Sequence, residues 1–232
     1  MNSEIMLKGT RFELSMEDGG LPAALRDLLK PPRRVYGIGS QETLQSEGIA
    51  IVGARRATPY GSQCAARFGR MLAEKGIALV TGGARGCDTY ALRGCLEAEG
   101  KAIVVLGGGC DKLYPEENAS LFQRIIDAGG AIMSEHQWDT SPLPYMFRAR
   151  NRLITGMSKG VLIIEAGMPS GTFATADDAL AAGKEVMAIP GPITSKQSRG
   201  ANRLIYQGAT PIVDDETFAD QLFALFGATS LI

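Results

Sequence analysis

Histidine is nearly absent from this chain: His136 is the only one among 232 residues. A zinc site would then need several thiolates or carboxylates at ligand spacing, and none are so arranged. The four cysteines, Cys64, Cys87, Cys95 and Cys110, stand singly without a CxxC pair and read as buried free thiols. An excess of one charge is lacking too. With 24 Lys and Arg against 25 Asp and Glu the net charge is −1, so no bulk field attracts polyanions and nucleic-acid binding would require local clustering. No apolar run approaches the roughly 18 uncharged residues that span a bilayer. The opening MNSEIMLKGTRFELS lacks the basic-then-apolar order of a signal peptide. Together these predict a cytoplasmic protein with no membrane partner. Repeats and low-complexity segments are also missing. What is present, 45% hydrophobic and 21% charged residues, is a globular composition with ample material for a core.

From residue 49 onward short apolar runs alternate with amphipathic stretches, the signature of parallel βαβ units. The runs are IAIVGA (49–54), IALVTG (77–82), AIVVLGGG (102–109), AIMSEH (131–136), VLIIEA (161–166), EVMAIPG (185–191) and TPIVDD (210–215). Most are apolar throughout, as expected of strands covered on both faces. The stretches 62–76, 87–100, 118–130 and 170–183 read as helices that each end at glycine. The predicted fold is α/β, a doubly wound and mostly parallel sheet of about seven strands in an extended Rossmann-like arrangement. Residues 1–48 are expected to form a lead-in helix (LPAALRDLLK, stopped by Pro31 and Pro32) and an extended segment packed on the core. Residues 49–215 form the Rossmann-like domain, and 216–232 a C-terminal helix.

Ligands of open parallel sheets bind outside the carboxyl ends of the strands. The loops predicted there are 53–62, 81–89, 107–118, 136–152, 165–172 and 190–202. They carry Arg55, Arg56, Arg85, Lys112, Arg148, Arg150, Arg152, Lys196 and Arg199. GARR, GGARG and PSGT place small residues where backbone N–H groups can approach an anion, each ahead of a helix. They predict a phosphate-binding surface. The segment Phe147-Arg-Ala-Arg-Asn-Arg152 adds an aromatic ring beside several guanidinium groups, the pairing that stacks a base and holds its phosphates.

Mononucleotide and dinucleotide fingerprints are absent. There is no GxxxxGK[ST], and the turn after the first run is Gly53-Ala-Arg-Arg-Ala-Thr-Pro-Tyr-Gly61 rather than GxGxxG. ATP and NAD are disfavoured, and neither a cofactor nor a metal is implied. No catalytic constellation emerges either. His136 beside Glu135 reads as a structural hydrogen-bonding group, and Cys87 at a helix start lacks a partner base. Asp88, Asp111, Glu135 and Glu165 lie near strand ends with nothing to select one as an acid or base.

From Leu21 to Asp215 the motifs resemble the DNA processing protein A family (DprA, also called Smf). The matching pieces are LPAALRDLLKPPRRVYGIG, IAIVGARRATPYG, TGGARGCDTYAL, VVLGGGCDKLYPEEN, FRARNRLITGMS, VLIIEA, SGTFATADDALAAGKEVMAIPGP and GANRLIYQGATPIVDD. The resemblance implies single-stranded DNA binding, loading of the RecA recombinase during natural transformation or recombination, a homodimer, and no enzymatic activity. It implies DNA contacts at Gly53 and Arg55 in the Gly-Ala-Arg turn, at Phe147, Arg150, Asn151 and Arg152, and at Ser170, Gly171 and Thr172. Arg56, Arg85 and Arg148 join them as neighbouring loop cations. Arginines would hold phosphates, Phe147 would stack on a base, and the 170–172 backbone would meet an anion at a helix N-terminus.

The chain departs from the family pattern in reading Gly86-Cys87-Asp88-Thr89-Tyr90-Ala91-Leu92, where a histidine usually closes the motif. A basic residue is also absent from 141–146, with Arg148 as a possible substitute. The N-terminal helical and C-terminal winged-helix-like domains of many members are not expected here.

Two rival readings share the same loops. One is a nucleotide-binding protein. The other is a nucleoside monophosphate phosphoribohydrolase of the LOG type, whose Pro-Gly-Gly-x-Gly-Thr-x-x-Glu pattern meets Thr175 here in place of the carboxylate.

Overall fold

Strands and helices alternate along nearly the whole chain of the computed structural model, which describes residues 6–168 and 171–227. The order begins β1 (Arg11–Ser15), α1 (Ala23–Arg26), β2 (Arg34–Gly39), α2 (Gln41–Leu44), β3 (Gly48–Val52), α3 (Pro59–Glu74) and β4 (Ala78–Thr81). It continues with α4 (Cys87–Glu97), β5 (Ala102–Val105), α5 (Ala119–Asp127), β6 (Ala131–Ser134), α6 (Pro144–Gly156) and β7 (Ser158–Ile163). The last elements are α7 (Gly171–Ala181), β8 (Glu185–Ala188), α8 (Arg199–Tyr206), β9 (Thr210–Pro211) and α9 (Asp215–Phe226).

The seven apolar runs all become strands, and every one from β3 to β9 pairs in parallel. Nine strands form the sheet, however, in the order β1-β2-β6-β5-β4-β3-β7-β8-β9. The two beyond the predicted seven lie in the N-terminal segment. There β1 and β2 pair antiparallel, with Arg11 opposite Ile38, and β2 pairs antiparallel with β6. Their sequences hide this: RFELS is half polar, as befits an edge, and RVYGIG is broken by two glycines. The predicted helix over LPAALRDLLK shrinks to the single turn of α1.

Alternate residues of β3 face opposite layers. Ile49 and Ile51 join Leu79, Leu92 and Phe122 on one side, whereas Ala50 and Val52 join Val80, Leu153 and Ile163 on the other. Two cores therefore sandwich the sheet, each large side chain contributing about 1.5–3 kcal/mol by burial. Helix α9 closes the first core by setting Phe218 edge-on against Phe68 of α3, 4.9 Å between ring centres.

The helix terminations follow the predicted glycines at Gly76, Gly129 and Gly183, all with positive φ. Helix α4 differs, because the left-handed residue after it is Glu99, with φ 58°, and not Gly100. A left-handed L-residue costs about 1–2 kcal/mol, only partly offset by the extra chain entropy glycine loses. Glu99→Gly is therefore expected to raise stability by about 0.5–1 kcal/mol, read as a higher urea midpoint at unchanged slope.

Strand order reverses direction at β3: β4, β5 and β6 follow on one side, β7, β8 and β9 on the other. In a doubly wound sheet this is where loops part and leave a crevice at the carboxyl ends.

Candidate nucleic-acid interface

The crevice is a cleft of about 950 Å³ between the loop after β3 and the loop after β7, with α6 forming a third wall. Each wall is fixed by a different local device. Thr58 caps α3, its side chain accepting from Gly61 N–H, and Pro59 follows at the first helical position. The buried Glu165, at the end of β7, then accepts from Thr58 N–H at 2.9 Å and from Thr58 Oγ1–H at 2.5 Å. This acid, one of the candidates for proton transfer, is thereby committed to holding the loop. At the loop's other end Ala54 O accepts from Cys87 N–H at 3.1 Å. Arg55 and Arg56, exposed between these anchors, line the cleft.

The glycines of the 82–86 loop serve packing more than anion binding. Gly86 has φ 75°, and a Cβ there would fall on Ala54 O and Arg55. Gly82 lies flat beneath the guanidinium of Arg150, which a Cβ would strike. From this loop Ala84 lines the cleft, whereas the exposed Arg85 turns to Glu117, donating through Nη2 at 2.6 Å and also through Nε.

The arginines expected in a loop over 136–152 ride instead on α6, which starts at Pro144. Helical geometry sends them apart. Phe147 is half-buried on the cleft wall, Arg148 exposed beside it, and Asn151 buried below. Arg150 is buried at the cleft floor, 6% exposed, and donates through Nη1 to Val105 O. Burial pushes its guanidinium down to about 10, opposed by the nearby carboxylate of Asp88, while Arg55 adds to the lowering. Asp88 is buried as well and accepts from Ala84 N–H at 3.2 Å. Desolvation raises its carboxyl above the ordinary range, and Arg150 counteracts part of that rise.

Arg152 points elsewhere. It grips Glu135 with two hydrogen bonds of 2.6 and 2.7 Å and donates through Nε to Lys30 O, so it ties α6 to the end of β6 and to the segment between α1 and β2. Arg152 and Arg85 are accordingly outside the cleft lining.

On the wall that follows β7, Gly171 and Thr172 open α7 and line the cleft, and a helix N-terminus at such a place favours an anion. Ser170 lies outside the described residues. Thr175 lines the same wall, in place of the carboxylate the hydrolase reading requires. Lys196, in the loop after β8, and Arg199, at the start of α8, are exposed and also line the cleft. Both are among the predicted loop cations but not the predicted contacts, since nothing local tells that this stretch meets the segment after β7, where Ala166 O accepts from Gly200 N–H.

Arg55, Arg56, Arg148, Arg150, Lys196 and Arg199 thus surround the cleft against Asp88 and Asp177. The guanidinium of Arg55 stands 5.7 Å from the centre of the Phe147 ring. A chain of net charge −1 gathers six cations in one cleft, together with the rings of Phe147 and Phe173. Cations beside an aromatic plane are the combination that suits phosphates and a planar base.

The other candidates do not assemble. Cys87 is buried against Gly53, and burial pushes its thiol up, away from thiolate chemistry. Asp111 pairs with Arg11 at 2.6 Å. His136 lies in a separate hollow of about 510 Å³, and its Nε2 is buried without a hydrogen bond, contrary to the structural bond expected of it. Among the described residues no cluster could hold a metal ion, and no helix is long and apolar enough to cross a membrane.

Protein Smf of Escherichia coli K12 is 39% identical over 191 residues, covering 82% of this chain and 51% of that protein. Protein Smf of Synechocystis is 34% identical over 223 residues, 94% of this chain and 55% of that one. The chain thus spans about half the length of these curated relatives. Among solved structures, DNA processing protein A of Helicobacter pylori, described for its single-stranded DNA binding mode, superposes with a TM-score of 0.83 at 32% identity. That match covers 93% of this chain and 97% of the other. The model of the DNA recombination-mediator protein A family matches residues 13–223, the β1-to-α9 sheet and cleft together, and the chain belongs to that family.

Proposed function

We propose that the chain binds single-stranded DNA in the cleft between the loops after β3 and β7 and delivers it to the RecA recombinase in DNA uptake or recombination. The observation that carries this reading is the six cations that line one cleft with Phe147, Arg55 standing over its ring, in a chain with no net positive charge. Arg55, Arg56 and Arg148 take phosphates, joined by Lys196 and Arg199. Phe147 offers its half-exposed ring to a base, which only an unpaired strand can present. The first turn of α7, at Gly171 and Thr172, receives one further phosphate. Asn151 and the buried Arg150 shape the floor, with Gly53 giving the close approach between β3 and Cys87. Arg152 and Arg85 act outside the cleft. The relatives' names and the Helicobacter pylori structure support this reading. The transfer to RecA and the homodimer rest on family membership. They are measured by the rate of RecA assembly on a bound oligonucleotide and by light scattering.

The test is fluorescence anisotropy of labelled oligo-dT over a salt series. Wild type is expected to prefer the single strand to duplex, and Arg55→Ala to weaken binding and flatten the salt slope by about one phosphate. Arg55 is exposed, so its loss leaves the melting temperature in place. Equal affinity for both forms of DNA, or a slope untouched by the substitution, would remove the cleft from the account.

A further inference from the structure

Phe147 belongs to more than the cleft. Its ring also meets Tyr114, from the loop after β5, with 5.2 Å between centres and 60° between planes. Arg55 stands over Phe147, and the guanidinium of Arg85 lies 5.8 Å from the centre of the Tyr114 ring. The four side chains form a row of cation, ring, ring and cation. They come from the loop after β3, the start of α6, and the loops after β5 and β4. The row runs along the carboxyl edge of the sheet and leaves the cleft behind, since neither Tyr114 nor Arg85 lines it.

A tyrosine serving only as packing would be covered, yet Tyr114 keeps 39% of its surface exposed. At a tilt of 60° the two rings cannot stack on one base, so each offers its own plane to a separate one. The guanidinium groups at the two ends are placed as phosphate partners. Arg85 is engaged by Glu117, but both side chains are about half exposed, at 52% and 54%. An exposed ion pair is weakly held, so a phosphate can take the place of the carboxylate at small cost.

Resting on the reading that the cleft holds single-stranded DNA, we propose that Tyr114 is a second base-stacking platform adjoining Phe147, with Arg85 as its phosphate partner. The bound strand then leaves the cleft across the ends of β4 and β5, and a longer strand gains contacts that a short one lacks.

Binding of oligo-dT of stepwise increasing length tests this with wild type, Tyr114→Ala, Tyr114→Trp and Arg85→Ala, each first checked for an unchanged melting temperature. Tyr114→Ala is expected to lose about tenfold in affinity for long strands and nothing for strands that fill only the cleft. Tyr114→Trp keeps the wild-type length profile, because any large aromatic plane stacks. Arg85→Ala flattens the salt slope by about one phosphate for long strands alone. Loss of affinity at every length would make Tyr114 a brace for Phe147 and overturn the proposal. Wild-type affinity in Tyr114→Ala at all lengths overturns it as well, while leaving the cleft reading intact. If wild type binds no strand of any length, the cleft reading falls, and this one with it.

Discussion

Arg150→Met is expected to destabilise the fold by about 3–5 kcal/mol, a loss visible as a lower urea midpoint. The side chain is buried, its guanidinium donates to Val105 O, and Asp88 is the buried acid it compensates. Methionine fills much of the volume but removes the charge that offsets buried Asp88 and the donor that Val105 O accepts, leaving a buried carboxylate uncompensated. The loss has a definite pH dependence. Burial raises the Asp88 carboxyl above its ordinary 3.8, Arg150 opposes the rise, and in Arg150→Met the folded value climbs further. A carboxyl whose folded value is raised favours the fold below its unfolded value, and that contribution is lost as pH climbs through the folded one. The gap between wild type and variant is therefore expected to be smallest near about pH 4 and to widen toward neutrality. Asp88→Asn in the same chain should recover part of it, since a neutral amide needs no cation. A gap that stays flat with pH, or no recovery in the double variant, would show that the two charges are not coupled. Weak DNA binding by an Arg150 variant consequently reports folding, and exposed Arg55 is the cleaner probe of phosphate contact.

Gly94→Val is expected to cost about 3 kcal/mol, from the overpacking of a backbone contact rather than of side chains. Helices α3 and α4 meet main chain to main chain at two reciprocal points. A Cβ on Gly94 would fall on Ala66 O, and a Cβ on Gly69 would fall on Ala91 O. Neither carbonyl is the far end of a flexible side chain, so the whole of α4 must move to admit a branched residue. Because Cys87 at the head of α4 rests against Gly53, that movement reaches the cleft. The variant should lose DNA affinity along with stability, in calorimetry and anisotropy on the same sample. A Gly94→Val protein that melts like wild type would mean that the two helices separate freely.

The parallel part of the fold was legible because most of its strands are buried on both faces and largely apolar, as in GIAIV of β3. The cation-rich edge was legible for a related reason: in a parallel sheet every strand-to-helix loop reaches the same edge. The antiparallel pair β1 and β2 escaped, because an edge strand is half polar and its partner is broken by glycine. Roles within the arginine segment escaped as well. Phe-Arg-Ala-Arg-Asn-Arg reads as one basic patch, but on α6 its arginines take three fates: Arg148 faces solvent, Arg150 the core, Arg152 the carboxylate of Glu135. The partners that decide these fates, such as Val105 and Asp88 for Arg150 and Glu135 for Arg152, lie outside the segment, so local spacing could not reveal them.

The anchors of the loop after β3 have a bearing on how such a cleft can change over generations. Ala54 is tied to Cys87 on one side, and Thr58 to Glu165 on the other. The span between them, which carries Arg55 and Arg56, contributes little to holding the frame together. Substitutions there can follow whatever the cleft must accommodate while the scaffold stays constant, so variation in affinity can accumulate at 55 and 56 without first passing through a misfolded chain.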